Sequence, residues 1–308
     1  MKVTEVAAAV ILKPDGSFLL GQRPEGKPYP GYWEFPGGKI ESGETVLAAL
    51  ARELKEELNI EVSRATPWFT LTHSYTHATV RLHFWRIFEW QGEPRGMEAQ
   101  ALAWQRVESL SVSPMLPANT PLFRALSLPP VYAITNAIEM GIARYLKVLE
   151  AALVKGLRLI QVREKSMSAD ELKHFAREVI ARAHHHGARV LINGDVVLAK
   201  ETRADGVHLT AAQVATLTQL PDLEWVGASA HSRGELEQAA ALQCDFAVMG
   251  PVNRTLSHPQ QAPLGWQRFA ELVFDTPLPV FALGGLQPHE LQTAIDAGAQ
   301  GIAMQRGI

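Results

Sequence analysis

The chain has 308 residues, enough for two domains that each bury a hydrophobic core. Its 47% hydrophobic and 20% charged residues are typical of a globular protein, and a net charge of −3 argues against duplex nucleic acid as a partner. The single cysteine, Cys244, excludes an internal disulfide framework. The first apolar run is too short for a signal sequence or a membrane span, so we expect a cytoplasmic protein with no membrane partner.

Apolar runs separated by turn residues predict strands through the first domain, which we place at residues 1–128. The predicted strands are 6–12, 18–22, 66–73, 78–90 and 102–107. A Gly- and Pro-rich loop, EGKPYPGYW, follows the second strand and is expected to be mobile and to border a site.

An amphipathic helix lies between the second and third of these strands. A stripe of leucines at spacings of three and four predicts its buried face, formed by Leu47, Leu50, Leu54 and Leu58. Ser42 or Glu44 can cap the start of this helix.

The opposite side of this helix is strongly acidic. Glu53, Glu56 and Glu57 are spaced i, i+3 and i+4, so we expect their carboxylates to converge on one face. Like charges that close repel by a few tenths of a kcal/mol per pair even when exposed. A cation would relieve this repulsion, and oxygen ligands favour Mg²⁺ or Mn²⁺.

The stretch 38–60, GKIESGETVLAALARELKEELNI, resembles the Nudix box of the Nudix hydrolases. Gly38, Glu44 and the run Arg52-Glu53-Leu54-x-Glu56-Glu57 match its spacing, whereas Asn59 replaces the glycine of the family. Asn is the next best residue for a left-handed helix end, so we expect Asn59 to cap the helix. A solvated acidic helix is the alternative, and the number of matched positions favours the box.

The resemblance covers about the first 128 residues and is strongest to the MutT branch, which removes oxidised guanine nucleotides. EFPGGKIESGE, residues 90–94 and residues 117–119 carry it. It implies an α/β/α sandwich and hydrolysis of a nucleoside triphosphate between its α and β phosphates. The metal ligands that it implies are the Gly38 carbonyl and the carboxylates of Glu53, Glu56, Glu57 and Glu98.

The same resemblance assigns the remaining roles. Glu44 and Arg52 orient the ligating carboxylates. Glu53 is our choice of general base, with Glu44 and Glu98 as rivals. The residues expected to bind the substrate are Arg23 and Lys39 at the phosphates and Phe35 and Asn119 at the purine.

Three of these assignments have alternatives. Glu98 lies in a Gly-containing loop, RGMEAQA, where a solvated glutamate is the commoner finding. Asn119 precedes Thr120-Pro121, so it can also be a helix cap. His77 and Ala78 stand where the MutT branch carries an arginine near the base.

A short, stiff boundary at 127–130 leads into the second domain, residues 129–308. Eight apolar runs alternate there with helical ones, which predicts a (β/α)8 barrel. The predicted strands are 131–135, 157–163, 189–194, 205–209, 225–230, 246–250, 279–285 and 301–305. Since the last run ends three residues before Ile308, we expect no eighth helix. The first domain or a second copy of the chain would then cover the open flank.

The second domain resembles the thiamin phosphate synthase and TenI family over about 178 residues. The resemblance implies a ligand site at Gln161, Arg163, Lys165 and Asn193, a phosphate site at Gly284 and Gly285, and a TenI-like tautomerase base at His231.

The departures from the synthases are as informative as the matches. The synthases carry a metal-binding Asp where Gly194 follows Asn193, and a second where this chain has Gln213. Their Thr-Lys pair is replaced at residues 255–258 by TLSH. We therefore expect the barrel not to act as a thiamin phosphate synthase, because the pyrophosphate leaving group would lack its metal.

The function that the sequence favours is Mg²⁺-dependent hydrolysis of oxidised purine nucleotides, with 8-oxo-dGTP giving 8-oxo-dGMP and pyrophosphate. This activity would sanitise the nucleotide pool and prevent mutation. One alternative is a Nudix hydrolase that acts on a diphosphate of the thiamin pathway. The others concern the barrel, as a sensor of a thiazole or pyrimidine phosphate or as a thiazole tautomerase.

Overall fold

The computed structural model describes residues 3–76, 78–255 and 262–307. The chain forms two compact units, Met1–Ser127 and Leu128–Ile308. His77 and most of the 255–258 segment, both singled out in the sequence, lie outside the described residues. None of the described helices is both long and apolar enough to cross a membrane.

The described part of the N-terminal unit is built on two sheets. Its strands are β1 (Val3–Ile11), β2 (Phe18–Gln22), β3 (Trp33–Glu34), β4 (Gly37–Lys39), β5 (Glu61–Ser74), β6 (Thr79–Gln91) and β7 (Leu102–Gln105). One sheet has the order β4-β1-β6-β5 and the other β3-β2-β7. Helix α1 (Val46–Leu58) packs on β1 and β4, and α2 (Thr120–Leu126) ends the unit. The five predicted strands are all present, and the very short β3 and β4 escaped the sequence pattern.

The buried face of α1 differs from the predicted stripe at one position. Leu50, Leu54 and Leu58 are buried, whereas Leu47 is 43% exposed. Val46, four residues before Leu50, packs against the core instead. Ala49 is also buried, and Val46 is i, i+3 to Ala49 and i, i+4 to Leu50, so the buried face is turned toward Val46.

The C-terminal unit is a closed barrel of eight parallel strands. They are β8 (Val131–Ile134), β9 (Leu159–Val162), β10 (Arg189–Asn193), β11 (Gly206–Leu209), β12 (Trp225–Ala230), β13 (Phe246–Met249), β14 (Val280–Leu283) and β15 (Gly301–Met304). Each lies within a predicted run, and neighbours along the chain are neighbours in the barrel, with β15 beside β8. The prediction of a (β/α)8-type barrel is therefore confirmed.

Helices cover the outside of the barrel. They are α3 (Ala137–Met140), α4 (Ile142–Val154), α5 (Ala169–His185), α6 (Val196–Thr202), α7 (Ala211–Thr216), α8 (Arg233–Ala241), α9 (Gly265–Val273) and α10 (Leu291–Asp296). After β15 no helix follows in the described chain, which reaches Gly307. Large side chains such as Tyr132, Trp225, Phe246 and Phe281 form a buried cluster contributed by several strands. That a partner surface covers the flank beside β15 stays a prediction.

Candidate active site

Helix α1 carries the acidic residues, and its two ends fix its position. Thr45, not Ser42 or Glu44, is the N-cap, and its hydroxyl accepts a hydrogen bond from the Ala48 N–H at 3.2 Å. Glu44 is unavailable for capping because its carboxylate binds Arg52. Asn59 ends the helix in the left-handed conformation, with φ 54°, as predicted for a residue that replaces glycine.

Arg52 organises the first group of carboxylates. Its Nε and Nη2 each lie 3.0 Å from an oxygen of Glu44, a two-point contact that adds orientation as well as energy. Its Nη1 donates to Glu53 at 2.8 Å and lies 3.5 Å from Glu56. Hydrogen bonds from Arg52 lower the pKa of Glu44, and hydrogen bonds to Glu44 and Glu53 raise that of Arg52.

Gly38 lets Glu53 approach the backbone closely. A Cβ at this position would lie 2.2 Å from the carboxyl carbon of Glu53, closer than any real contact. The Glu53 carboxylate therefore lies directly against the main chain of β4. Glu53 is only 16% exposed, whereas Glu56 is 62% exposed.

Lys27 organises the second group. Its Nζ lies 2.6 Å from Oε2 of Glu98 and 3.5 Å from Oε1 of Glu57. The Glu57 side chain is 17% exposed, and burial raises its pKa to about 7, although Lys27 and the Gly37 N–H oppose the shift. Glu98 is 43% exposed and joins a carboxylate of the Nudix box through Lys27, so its role as a metal ligand stays a prediction beside the alternative of a solvated glutamate.

These residues fit a divalent cation by their chemistry. All the side-chain donors are carboxylate oxygens, which suit Mg²⁺ and Mn²⁺, and both groups are already arranged around a positive charge. As they stand, no three His, Cys, Asp or Glu side chains in the described ranges form a metal site. The three carboxylates on α1 therefore do not converge on one point as expected. Glu53 and Glu56 lie near Arg52, whereas Glu57 lies near Lys27.

Two of the predicted substrate residues are engaged within the protein. Arg23 forms an ion pair with Glu34, and its Nε donates to the Pro28 carbonyl at 2.6 Å. Phe35 is 5% exposed and packs in the core against Phe18 and Phe123. Lys39, by contrast, is exposed at the end of β4. Contacts of these residues with a nucleotide stay predictions.

Asn119 is buried and held by a distant part of the chain. It occupies the N-cap position of α2, as the alternative predicted, but its side chain makes no capping hydrogen bond. Its Nδ2 instead donates to the Trp33 carbonyl at 3.1 Å, which fixes the plane of the amide. At 4% exposure, Asn119 is a polar side chain with a set orientation.

Sequence reasoning missed two groups near these residues. Glu34 pairs with Arg23, and burial raises its pKa. Tyr75 stands near Glu34 and meets Tyr29 with ring centroids 5.5 Å apart. The place of Tyr75 beside the half-buried Glu34 carboxylate shows only in three dimensions.

The barrel contains a second candidate site, a cavity of about 500 Å³. The residues predicted to bind a ligand there all line it, namely Gln161, Arg163, Lys165, Asn193, His231, Gly284 and Gly285. Arg254 adds positive charge, whereas Arg306 is paired with Glu139, and no Asp or Glu is among the described residues that line the cavity. Such a site suits an anionic ligand.

A neutral polar network lies beneath this cavity. His208 is buried, with Nδ1 3.3 Å from the Tyr132 hydroxyl and Nε2 3.0 Å from the Ser229 hydroxyl. Gln161 donates to the same Tyr132 hydroxyl at 3.0 Å. Burial, with a smaller effect of the Arg163 charge, lowers the pKa of His208 to about 3, so its ring is neutral at physiological pH.

Gln213 occupies the position of one missing carboxylate, and Asp195 follows Gly194, which occupies the other. Gln213 donates to the Gly194 carbonyl at 2.7 Å and accepts from the Thr210 N–H at 3.0 Å. Asp195 caps α6 by accepting from the Leu198 N–H at 2.8 Å and is not a lining residue of the cavity. Both side chains are therefore committed to local structure.

Comparisons with known proteins divide the chain in the same way. A family model described as a NUDIX domain matches residues 7–125, and one described as thiamine monophosphate synthase matches residues 131–308. The chain belongs to the Nudix family in its N-terminal unit and to the thiamine monophosphate synthase family in its C-terminal unit. The N-terminal unit is accordingly a Nudix pyrophosphohydrolase.

Individual relatives match one unit each. A CTP pyrophosphohydrolase of Escherichia coli is 39% identical over 125 residues, 41% of this chain and 92% of that protein. An 8-oxo-dGTP diphosphatase of Haemophilus influenzae is 37% identical over the same shares of the two chains. The "Putative thiamine-phosphate synthase 2" of Aquifex aeolicus is 35% identical over 180 residues, 58% of this chain and 96% of that protein.

Proposed function

We propose that the N-terminal unit hydrolyses oxidised purine nucleoside triphosphates, 8-oxo-dGTP first, to the monophosphate and pyrophosphate. The two Nudix relatives named above act on different bases and match this chain almost equally well. The choice of base therefore depends on the site itself. The observation that supports a preference for the oxidised base is the buried, oriented amide of Asn119.

The carboxylates of α1 would hold Mg²⁺ or Mn²⁺, which supplies charge neutralisation and an acidified water for phosphoryl chemistry. Arg52 donates hydrogen bonds to both Glu44 and Glu53 and so fixes their relative positions. Because Gly38 has no side chain, Glu53 can lie directly against the backbone. Glu53 remains our choice of proton acceptor, since it lies against the backbone at Gly38 and is more enclosed than its rival Glu98. Lys39, exposed beside this group, supplies a positive charge for phosphates.

Asn119 can distinguish an oxidised purine from a normal one. Its Nδ2 is committed to the Trp33 carbonyl, so Oδ1 is the acceptor that the amide can offer. The N7 position of 8-oxo-guanine carries a hydrogen, whereas N7 of guanine is an acceptor. An amide oxygen that accepts a hydrogen bond from this edge would therefore favour the oxidised base.

We expect Asn119→Ala to raise KM for 8-oxo-dGTP about tenfold or more and to change KM for dGTP little. A lost polar partner in a buried site costs about 1–3 kcal/mol, and that partner interacts only with the oxidised base. Steady-state kinetics on both nucleotides measures the difference. Asn119→Asp keeps an acceptor but loses the donor to the Trp33 carbonyl, so it reports on that contact. Equal losses for both nucleotides would show that Asn119 acts only through the Trp33 carbonyl.

A substrate panel on the intact chain tests the assignment as a whole. It should include 8-oxo-dGTP, dGTP, CTP and diphosphates of the thiamin pathway, with Mg²⁺ and with Mn²⁺. The highest kcat/KM for 8-oxo-dGTP supports the proposal. Preference for CTP or for a thiamin-pathway diphosphate would replace it with that substrate.

For the barrel, the absence of carboxylates from the described lining favours a binding role that needs no metal. We propose that the cavity binds a thiazole or pyrimidine phosphate through its cationic residues. His231 lines this cavity, and its Nδ1 lies 3.2 Å from the Glu235 carboxylate. A tautomerisation with His231 as the base is the second candidate reaction, because it needs no metal.

A further inference from the structure

We propose that Lys27 is a built-in counter-cation, which holds Glu57 and Glu98 together until a divalent metal ion displaces it. The inference rests on the metal site of the proposed function and assigns a role to a residue of the Gly- and Pro-rich loop. Lys27 Nζ lies 2.6 Å from Glu98 and 3.5 Å from Glu57, two of the carboxylates expected to bind metal. A metal bound by the same oxygens would compete with this ammonium group.

The position of Lys27 follows from contacts on both sides of it. Arg23 Nε donates to the Pro28 carbonyl at 2.6 Å, and the Gly31 N–H donates to the Arg23 carbonyl at 2.9 Å. These bonds close the loop into a compact turn with Lys27 inside it. Lys27 and the two carboxylates line one small cleft.

The carboxylates are held independently of Lys27. The Glu98 N–H donates to Gln100 Oε1 at 2.7 Å, and Gln100 Nε2 donates to the Glu57 carbonyl at 2.9 Å. The Met97 N–H also donates to the Glu57 carbonyl, at 2.9 Å. The loop of Glu98 is thereby fixed to the end of α1, so the two carboxylates stay close when the lysine leaves.

Lys27 is suited to leave without disturbing the fold. Its side chain is 41% exposed and flexible, and the small stability that its ion pairs contribute without metal is replaced by the metal contacts when it leaves. The doubly charged metal interacts more strongly with two carboxylates than a single ammonium group does. Lys27 thus relieves the repulsion between Glu57 and Glu98 without metal, and yields when metal binds.

The test is Lys27→Met in the intact chain, with Lys55→Met as the matched control. Lys55 is also exposed, and it pairs with Glu61 at 2.9 Å, away from the cleft. We expect Lys27→Met to bind Mn²⁺ about threefold to tenfold more tightly than the wild type in calorimetric titrations without nucleotide. We also expect it to unfold at a lower temperature in EDTA. Lys55→Met should change the Mn²⁺ affinity much less, because it only lowers the overall charge.

Two further variants keep the outcomes distinct. Lys27→Gln should repeat the result of Lys27→Met, and Lys27→Arg, which keeps the charge, should stay near the wild type. Unchanged or weaker Mn²⁺ binding by both neutral variants would overturn the role of Lys27. If the wild type binds no Mn²⁺, or Glu57→Gln binds it as well as the wild type does, the proposed metal site itself is wrong.

Discussion

Replacing either buried carboxylate of α1, as Glu53→Gln or Glu57→Gln, should reduce turnover of 8-oxo-dGTP by roughly 100-fold to 1,000-fold. Both side chains are less than one-fifth exposed and lie against the backbone of β4. Each amide keeps the shape of the carboxylate but removes the charge that would hold a metal. Initial rates at saturating Mg²⁺ measure the effect.

The same Glu57→Gln change should stabilise the metal-free protein above neutral pH. The pKa of Glu57 is raised to about 7 in the folded state, above its ordinary value of 4.5. The charged form is therefore disfavoured on folding, and stability falls as pH rises from about 4.5 to 7. A pKa unit corresponds to about 1.4 kcal/mol, so the full cost is roughly 3 kcal/mol. Unfolding curves in EDTA at pH 5 and pH 8 should show a loss in the wild type that is absent from Glu57→Gln.

Glu61→Gln is the matched control for these variants. Glu61 is 65% exposed and pairs with Lys55 beyond the end of α1. We expect wild-type turnover from it and no change in pH dependence. Near-wild-type turnover by Glu53→Gln or Glu57→Gln at saturating Mg²⁺ would contradict the assignment of the site.

The Nudix box was predictable because its signals are local. The leucine spacing, the acidic run and the left-handed Asn59 all depend on neighbours within a few turns of helix. Leu47 was wrongly predicted to be buried, because Val46 and Leu47 both lie one turn before Leu50 and either could form the edge of the buried face. Local spacing alone does not decide between them.

The partners of the site residues were not predictable, since they come from distant parts of the chain. Lys27 and Glu98 are 71 residues apart, and Asn119 and Trp33 are 86 residues apart. Their pairing depends on how the segments after β2, β6 and β7 fold back. The same holds for Phe35, whose motif position suggested a ligand contact and whose ring lies in the core.

The barrel shows which features of a site a strand pattern can predict. The carboxyl ends of parallel strands lie at one face of a barrel, so the sequence alone predicts that the residues at those ends lie together. The hydrogen bonds of Gln213 and Asp195 could not be predicted, because each depends on a turn geometry specific to this chain. These contacts explain why the cavity differs chemically from a metal-dependent one.

The intact chain should bind a thiazole phosphate in EDTA and form no thiamin phosphate from pyrimidine pyrophosphate and thiazole phosphate with Mg²⁺. Arg163 and Lys165 line the cavity and provide positive charge that attracts an anionic ligand, whereas departure of pyrophosphate requires a metal that no carboxylate of the described lining can hold. Calorimetry measures the first result and chromatography of the reaction mixture the second. Arg163→Met should weaken binding about tenfold or more, as expected for a charged contact worth about 1.5–3 kcal/mol.

Arg268→Met is the control for that loss, because Arg268 is exposed, pairs with Glu271 and does not line the cavity. It should bind the thiazole phosphate as the wild type does. Binding that survives Arg163→Met would place the ligand elsewhere. Formation of thiamin phosphate would show that the barrel assembles a metal site from groups other than the two carboxylates that it lacks. Asp195 is then a candidate, because its release from the start of α6 would free its carboxylate.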